Sequence, residues 1–431
     1  NETQTGAGLL DNVSTQRYKL AKQAKAHPGR CFTTLHQYLT VDWLTQAYSQ
    51  TRKSGATGID NQTAAEYEHH LESRLQDLLN RVKSGRYKAP PVKRAYIPKA
   101  GGKQRPIGIP TFEDKLLQRA IVMLLESIYE QDFLDYSYGF RPKRSCHGAL
   151  QALRASLQRG GRYIIELDIQ SFFDKLDKQQ LRTMLQHRIG DGVIKRLINK
   201  WLKAGIMEHG QVSYSETGTP QGGVISPLLA NIYLHDVLDK WFENEVKPRL
   251  QGKGELIRFA DDAVLVFSNA RDRERVMEVL GKRFNRFGLQ LHPTKTCQLK
   301  FTPRDGQTFD FLGFTHFWGQ TRNGRWTIRR KTAKSRQRRA LKAIHHGCKL
   351  NRHVSIADQH KQLCRKIRGH YSYFGINGNY RSLSSLRYWA EQLWLKWLKR
   401  RSQKAKFNWG RGALILDSYP LPKARILHPL V

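Results

Sequence analysis

Apolar residues recur three and four apart through KLLQRAIVMLLESIYEQDF (Lys115–Phe133), and that spacing predicts one long, largely buried helix. YIIELDI, AVLVF and FDFLGF are short runs rich in β-branched and aromatic residues, and they read as strands. Near the C-terminus, RSLSSLRYWAEQLWLKWLKRRSQ carries Leu386, Ala390, Leu393 and Trp397 on one stripe of a helix. A mixed α/β pattern therefore gives way, near residue 320, to a helical one. One stretch breaks the pattern. In IRFADDAVLVF (Ile257–Phe267) two adjacent carboxylates, Asp261 and Asp262, interrupt an otherwise apolar run. The parsimonious geometry is a hairpin with both at its tip. A solvated Asx turn would explain them, but a dense carboxylate pair otherwise costs repulsion and desolvation unless a cation compensates.

Composition sharpens this reading. A chain of 431 residues is too long for one ordinary core, and 39% hydrophobic with 10% aromatic content argues for globular domains. The 74 Lys and Arg against 36 Asp and Glu leave a net charge of +38, which calls for a polyanionic partner. Nucleic acid is favoured over a membrane surface, because the basic residues are interleaved with aromatics and no apolar run would span a bilayer. Residues 321–431 hold 27 basic and 3 acidic residues, so the change of pattern near 320 is also a step in charge. The first thirty residues lack a signal-peptide core, and five scattered cysteines suit a reducing, cytoplasmic setting. Cys348, His353, His360 and Cys364 lie loosely together, but their spacing matches no familiar zinc finger.

A third carboxylate turns the hairpin into a candidate site. Asp168, in RYIIELDIQSFFDKLD, directly follows the predicted strand Tyr163–Leu167. Hard oxygen ligands from neighbouring strand ends suit Mg²⁺, which keeps waters and takes phosphate oxygens from a substrate. Two such ions, about 3.5–4 Å apart, would activate an attacking hydroxyl and stabilise a leaving oxygen. With the basic composition, nucleotidyl transfer on a nucleic acid is the reaction suggested.

At this point a family resemblance becomes specific. ELDIQSFFDKLD, GTPQGGVISPLLANIYL, RFADD, LHPTKT and FLGF occur in the order of the reverse transcriptase sequence blocks. YIPKAGGKQRPIGIPTFEDKLLQRAI and YSYGFRPKRSCHGAL resemble the fingers blocks of group II intron-encoded reverse transcriptases. RGHYSYFGINGN, the Trp-rich basic helix and LPKARILHP resemble that family's thumb, or maturase, segment. The resemblance covers the chain from about residue 35 onward. It implies an α+β right-hand polymerase with fingers, a palm on an antiparallel sheet and a helical thumb. The corresponding division is residues 1–65 as an N-terminal extension, 66–160 as fingers, 161–318 as palm, 319–400 as thumb and 401–431 as a basic tail.

By the same resemblance Asp168 and Asp261 would hold two Mg²⁺ ions (Mn²⁺ a substitute), with the Ile169 carbonyl as a further ligand and Asp262 completing the acidic tip. Many members have Tyr where Phe259 stands, a difference of one hydroxyl. Lys99 and Arg105 match residues that grip the incoming dNTP, Lys as a point charge and Arg as a fork. Phe173 matches a ring under the sugar that excludes a 2′-hydroxyl, although one of Phe172 and Phe173 belongs in the core. Gln221 would contact nucleotide or template, and Gly222 and Gly223 would let the backbone approach a duplex. Lys295 is a candidate proton donor to the pyrophosphate, or a plain phosphate contact.

The partners implied are an RNA template, specifically group II intron RNA, and a DNA primer or target. LHQYLTVDWLTQAY and SGATGID resemble the extension that contacts template RNA in non-retroviral enzymes. Arg329, Arg330, Arg336, Arg338 and Arg339, expected together on a helix, would form an electrostatic track for phosphates. Among the tryptophans at helical spacing, core packing is the more frequent role. No Cys/His-rich or HNH-like endonuclease segment follows the thumb, so primers are expected from nicks, forks or another nuclease. Three functions remain in view: a polymerase that also assists splicing and retrohoming as a cytoplasmic ribonucleoprotein, a maturase with a vestigial site, and a host-adopted enzyme of repair or phage defence.

Overall fold

The computed structural model describes residues 2–98, 104–208, 210–214, 222–401 and 407–429. Among them the strands are, in chain order, β1 (Val92–Pro98), β2 (Gln104–Ile109), β3 (Tyr163–Leu167), β4 (Ile206–Glu208), β5 (Gln211–Ser213), β6 (Gly254–Phe259), β7 (Asp262–Phe267), β8 (Cys297–Lys300), β9 (Phe309–Phe311), β10 (Phe314–Gln320) and β11 (Trp326–Thr332). They make three sheets, ordered β2-β1-β4-β5, β6-β7-β3-β8 and β11-β10-β9, set among helices. The expected α+β class is what the chain adopts.

The second sheet organises the molecule. β3 lies between β7 and β8, antiparallel to both, and β6 pairs with β7. Side chains alternate across it with period two. Ile165, Leu167, Ala263, Leu265 and Phe267 enter one core, and Ile164, Val264 and Val266 enter another. Both faces are covered, which is why β7 reads as an unbroken apolar run.

The first core is built on helix Phe112–Tyr129, predicted as Lys115–Phe133. Thr111 Oγ1 accepts from the Asp114 amide at 3.3 Å, and Glu113 and Asp114 complement the helix dipole in the first turn. Leu116, Ala120, Ile121, Leu124, Leu125 and Ile128 are wholly buried. Each such aliphatic side chain removed from water contributes about 1.5–3 kcal/mol. The second core sets helix Cys146–Gln158 and the outer sheet against the other face of the central sheet.

A third core joins helices Lys334–Leu350, Ile356–Phe374 and Tyr380–Lys399. Of the predicted stripe, Leu386, Ala390 and Trp397 are buried and Leu393 is half-buried. Trp394 is fully buried, whereas Trp389 and Trp409 stand exposed. Cys348 and Cys364 pack in this core, with Cys364 Sγ 3.1 Å from His360 Nε2. Among the described residues, no three His, Cys, Asp or Glu side chains stand together with metal-holding geometry, so these four do not assemble. No helix among them is long and apolar enough to cross a membrane.

Two expectations are corrected. FDFLGF is not one strand; β9 ends at Phe311 and a turn at Leu312–Gly313 reverses the chain into β10. The basic region does not begin as helix either, because residues 326–332 form β11 and the first helix of the region starts at Lys334. The charge step near 320 thus falls inside the β10–β11 hairpin.

Candidate active site

The register of the central sheet brings the three aspartates together. Phe259 pairs with Asp262, so Ala260 and Asp261 form a two-residue turn, with Ala260 in the left-handed region at φ +57°. Leu167 pairs with Ala263, and the next step along β3 brings Asp168 opposite Asp262. The expected hairpin tip is therefore observed, one strand away from Asp168.

The backbone of Asp168 is fixed by the LHPTKT segment. The His292 amide donates to the Asp168 carbonyl at 2.8 Å, Thr296 Oγ1 donates to the same oxygen at 3.0 Å, and the Asp168 amide lies 3.3 Å from that hydroxyl. The Gln170 amide donates to the Gln290 carbonyl at 2.8 Å, closing a short bridge in which Ile169 faces Leu291. Ile169 occupies the non-hydrogen-bonded position of that bridge, so its carbonyl is directed to the side where the hairpin lies.

Electrostatically the site is short of positive charge. Desolvation, then Asp261 and then Asp168, push the Asp262 carboxyl up to about 6, although its side chain opens to the cleft. Asp261 is raised too, first by burial, with Asp168 adding to the shift and Arg105 opposing it. Lys295 Nζ sits 2.8 Å from Asp168 Oδ2. Asp261 and Asp262, both raised by burial and by neighbouring negative charge, stand with Asp168 as a donor set suited to a hard divalent cation. As they stand they do not close a cage, and one Asp168 oxygen is paired with Lys295.

A cavity of about 490 Å³ opens from Asp168, Asp262 and Lys295 toward Gly313, Ser335 and Arg336. Glu166, on the same β3 face as Asp168, lines it; burial pushes its carboxyl up to about 7. Arg105 lies on β2, exposed, and close enough for its charge to act on Asp261. Phe172 is buried against Tyr233 while Phe173 is half-buried, so of the two rings Phe172 is the core member. Lys99 and Gln221 lie outside the described residues.

The glycines after Gln221 have a reason within the protein. Gly222 has φ +117°, and a Cβ there would stand 2.5 Å from the Gly108 carbonyl oxygen of β2. A Cβ at Gly223 would stand 2.9 Å from Ser226 Oγ and 3.2 Å from Gln118 Oε1. Gln118 in turn accepts from the Ile225 amide at 3.2 Å and donates to buried Asp114 at 3.1 Å. Asp114 Oδ1 also accepts from Tyr87 at 2.5 Å and from Trp201 at 2.6 Å. This network fixes the loop before helix Ser226–Leu234, and nothing in the spacing of its members along the chain announces it.

The five arginines of the expected track divide. Arg336, Arg338 and Arg339 are exposed on helix Lys334–Leu350, and Arg336 reaches the cavity. Arg329 and Arg330 are on β11, where the strand turns alternate residues inward, so Arg329 is exposed and Arg330 is buried between Ile328 and Thr332. Arg330 is therefore no part of a surface track.

A further residue, Arg258, lies inside RFADD itself. It is fully buried and paired with Asp239 behind the hairpin. An arginine in an otherwise apolar strand was the available signal, because such a charge demands a buried partner.

The family model described as reverse transcriptase (RNA-dependent DNA polymerase) matches residues 97–316. Group II intron-encoded protein LtrA of Lactococcus lactis subsp. cremoris is 42% identical over 228 residues, covering 52% of this chain and 37% of that protein. Protein YkfC of Escherichia coli K12 is 33% identical over 351 residues, covering 73% of this chain and 91% of the relative. Nuclear intron maturase 2, mitochondrial, of Arabidopsis thaliana is 26% identical over 176 residues, covering 32% of this chain and 24% of that protein. The match thus spans little more than a third of LtrA's length.

Proposed function

The chain belongs to the reverse transcriptase family, and from that premise we propose that it is an RNA-directed DNA polymerase adding dNTPs to a primer 3′-OH on an RNA template. The observation that carries this reading is that paired strand ends bring Asp168, Asp261 and Asp262 within electrostatic reach of one another, with Asp168 and Asp262 lining the cleft. Asp168, Asp261, Asp262 and the Ile169 carbonyl would hold two Mg²⁺ ions, with Mn²⁺ as a substitute. Metal bound there supplies neutralising charge for the entering hydroxyl and the departing pyrophosphate.

The chain's own residues do the remainder. Arg105, on β2, clamps the triphosphate, and Lys99 is assigned to the same triphosphate from its sequence motif alone. Lys295, paired with Asp168, would contact phosphate or donate a proton to the departing pyrophosphate. Phe173 excludes a 2′-hydroxyl, and Gln221, Gly222 and Gly223 are assigned from their motif to contact with nucleotide or template. Arg329, Arg336, Arg338 and Arg339 track the RNA backbone.

We also propose that the RNA includes group II intron RNA, which the protein helps to fold for splicing and retrohoming. What supports this is the intron-encoded and maturase naming of the relatives and the basic helices beyond residue 334. A vestigial polymerase site is disfavoured, since the sequence keeps Asp168, Asp261, Asp262, Arg105 and Gln221. The test is primer extension on RNA with dNTPs. Extension should stop in EDTA and return with Mg²⁺ or Mn²⁺. Template-bound protein that fails to extend in either metal overturns the polymerase reading, and equal affinity for group II intron RNA and unrelated RNA overturns the maturase reading.

A further inference from the structure

Behind the turn that carries Asp261 stands a fully buried guanidinium. Arg258, on β6, has no exposed surface, and all five of its N–H groups are used. Nε donates to Asp239 Oδ1 at 2.8 Å and Nη2 to Asp239 Oδ2 at 2.6 Å. Nη2 also donates to Ser137 Oγ at 2.7 Å. Nη1 donates to Asn231 Oδ1 at 3.0 Å and to the Ala260 carbonyl at 3.1 Å.

That last bond joins the cluster to chemistry. The Ala260 carbonyl and the Asp261 amide belong to one peptide plane, so holding the oxygen fixes the plane from which Asp261 projects. Ala260 adopts the left-handed conformation that a residue with a Cβ avoids, and it persists only where its surroundings impose it. The other side of the turn is held as well. Asn231 Nδ2 donates to the Gly139 carbonyl at 2.7 Å, and Gly139 lies so close that a Cβ there would stand 2.3 Å from the Ala260 nitrogen.

The support is built in from two further elements. Asp239 ends a π-helical turn, His235–Asp239, that continues helix Ser226–Leu234, and such widened turns frequently mark functional sites. The Tyr138 amide donates to the Arg258 carbonyl at 2.8 Å and the Arg258 amide to the Tyr136 carbonyl at 2.9 Å, which lays the YSYG segment along β6. His235 Nδ1 is 3.7 Å from Asp239 Oδ2, too far for a hydrogen bond, so Arg258 is the group that answers the Asp239 charge. A buried ion pair is rarely the most stable way to fill a core; an apolar replacement of similar volume is often as good or better. Its use here is geometric.

We propose that Arg258, backed by Asp239, Asn231 and Ser137, is a positioning residue that sets the Ala260–Asp261 peptide plane and thereby aims the Asp261 carboxylate at the metal-binding side of the cleft. It touches neither substrate nor metal. The proposal rests on the polymerase reading above.

The test uses Arg258→Lys, which keeps the buried charge and its pairing with Asp239 but cannot reach Ala260, Asn231 and Ser137 together. Thermal unfolding, RNA affinity, dNTP KM and kcat are measured on the full chain, with Mn²⁺ binding followed by electron paramagnetic resonance in the absence of nucleotide. The variant should unfold close to wild type and bind RNA equally, with dNTP KM nearly unchanged. Its kcat and Mn²⁺ affinity should each fall about tenfold, as outer supports of metal ligands do. Ser137→Ala, a smaller change, should lower both together by a lesser factor. Either variant, folded and with kcat and Mn²⁺ affinity at wild-type values, overturns the proposal. So does an unfolded Arg258→Lys beside a Ser137→Ala of wild-type behaviour, which would reduce the cluster to a fold element. A wild type that binds RNA and Mn²⁺ without extending primers overturns the polymerase reading instead and leaves Mn²⁺ affinity as the measure of the clamp.

Discussion

His316, on β10 across from Arg330, stacks on Phe309 with ring centroids 4.8 Å apart, and neither ring nitrogen has a hydrogen-bond partner. Burial, and then the Arg330 charge, pull its pKa from 6.5 down to about 3, so the folded protein holds it neutral. The stability it allows is present above pH 6.5 and is lost as pH falls toward 3, because the unfolded chain takes up the proton first. Moving from pH 8 to pH 5 should therefore cost about 2 kcal/mol through this residue alone. His316→Phe keeps the stack and should remove that loss, which urea denaturation at the two pH values would read; an unchanged pH difference contradicts it. If Phe173 is the proposed sugar gate, Phe173→Ala should raise ribonucleotide incorporation about tenfold or more. Unchanged sugar selectivity in competition assays would remove Phe173 from that role. At this scale the sequence spoke clearly where a residue type contradicted its surroundings, as Asp261 and Asp262 do. It was silent on Asp114, whose partners Tyr87 and Trp201 are brought to it only by tertiary packing.

Among elements, helix Lys334–Leu350 begins against the usual electrostatic preference. Its first turn carries no acidic residue and opens with Lys334 and Arg336, at the end where the helix dipole favours anions. Exposed cations at that end, beside the cleft, suit phosphate contact. Replacing Arg336, Arg338 and Arg339 by Gln should weaken RNA binding and flatten its salt dependence by about 2 in the log–log slope, near 0.7 for each lost contact. Thermal stability should hold, since all three are exposed. An unchanged slope would take the helix out of the RNA interface. Arg330, buried in β11, has no place in that slope. Its position was readable from WTIRRKT, where Ile328, Arg330 and Thr332 alternate inward, but a charge-rich segment invites a helical reading when composition is weighed before period. Helix Phe112–Tyr129, by contrast, was legible because its apolar spacing is sustained, although the predicted Lys115–Phe133 misses the Thr111 cap, starting three residues late and running four past the end.

On the scale of the whole molecule, a central sheet covered on both faces delivers its acidic strand ends to one open cleft, with exposed basic helices beyond. The class of the fold and the three aspartates could be read from the chain because strand ends, carboxylates and charge excess are local or additive features. The Arg258–Asp239 clamp could not, since Asp239 is 19 residues upstream of Arg258 and meets it only through the π-helical turn. If these aspartates perform polymerisation, replacing two of them must abolish it. Primer extension on an RNA template with dNTPs and Mg²⁺ is measured for wild type and for Asp261→Ala with Asp262→Ala, alongside RNA binding. Extension is expected from wild type and not from the variant, with equal RNA binding by both. Equal extension by the two, or none from a wild type that binds its template, would contradict that role.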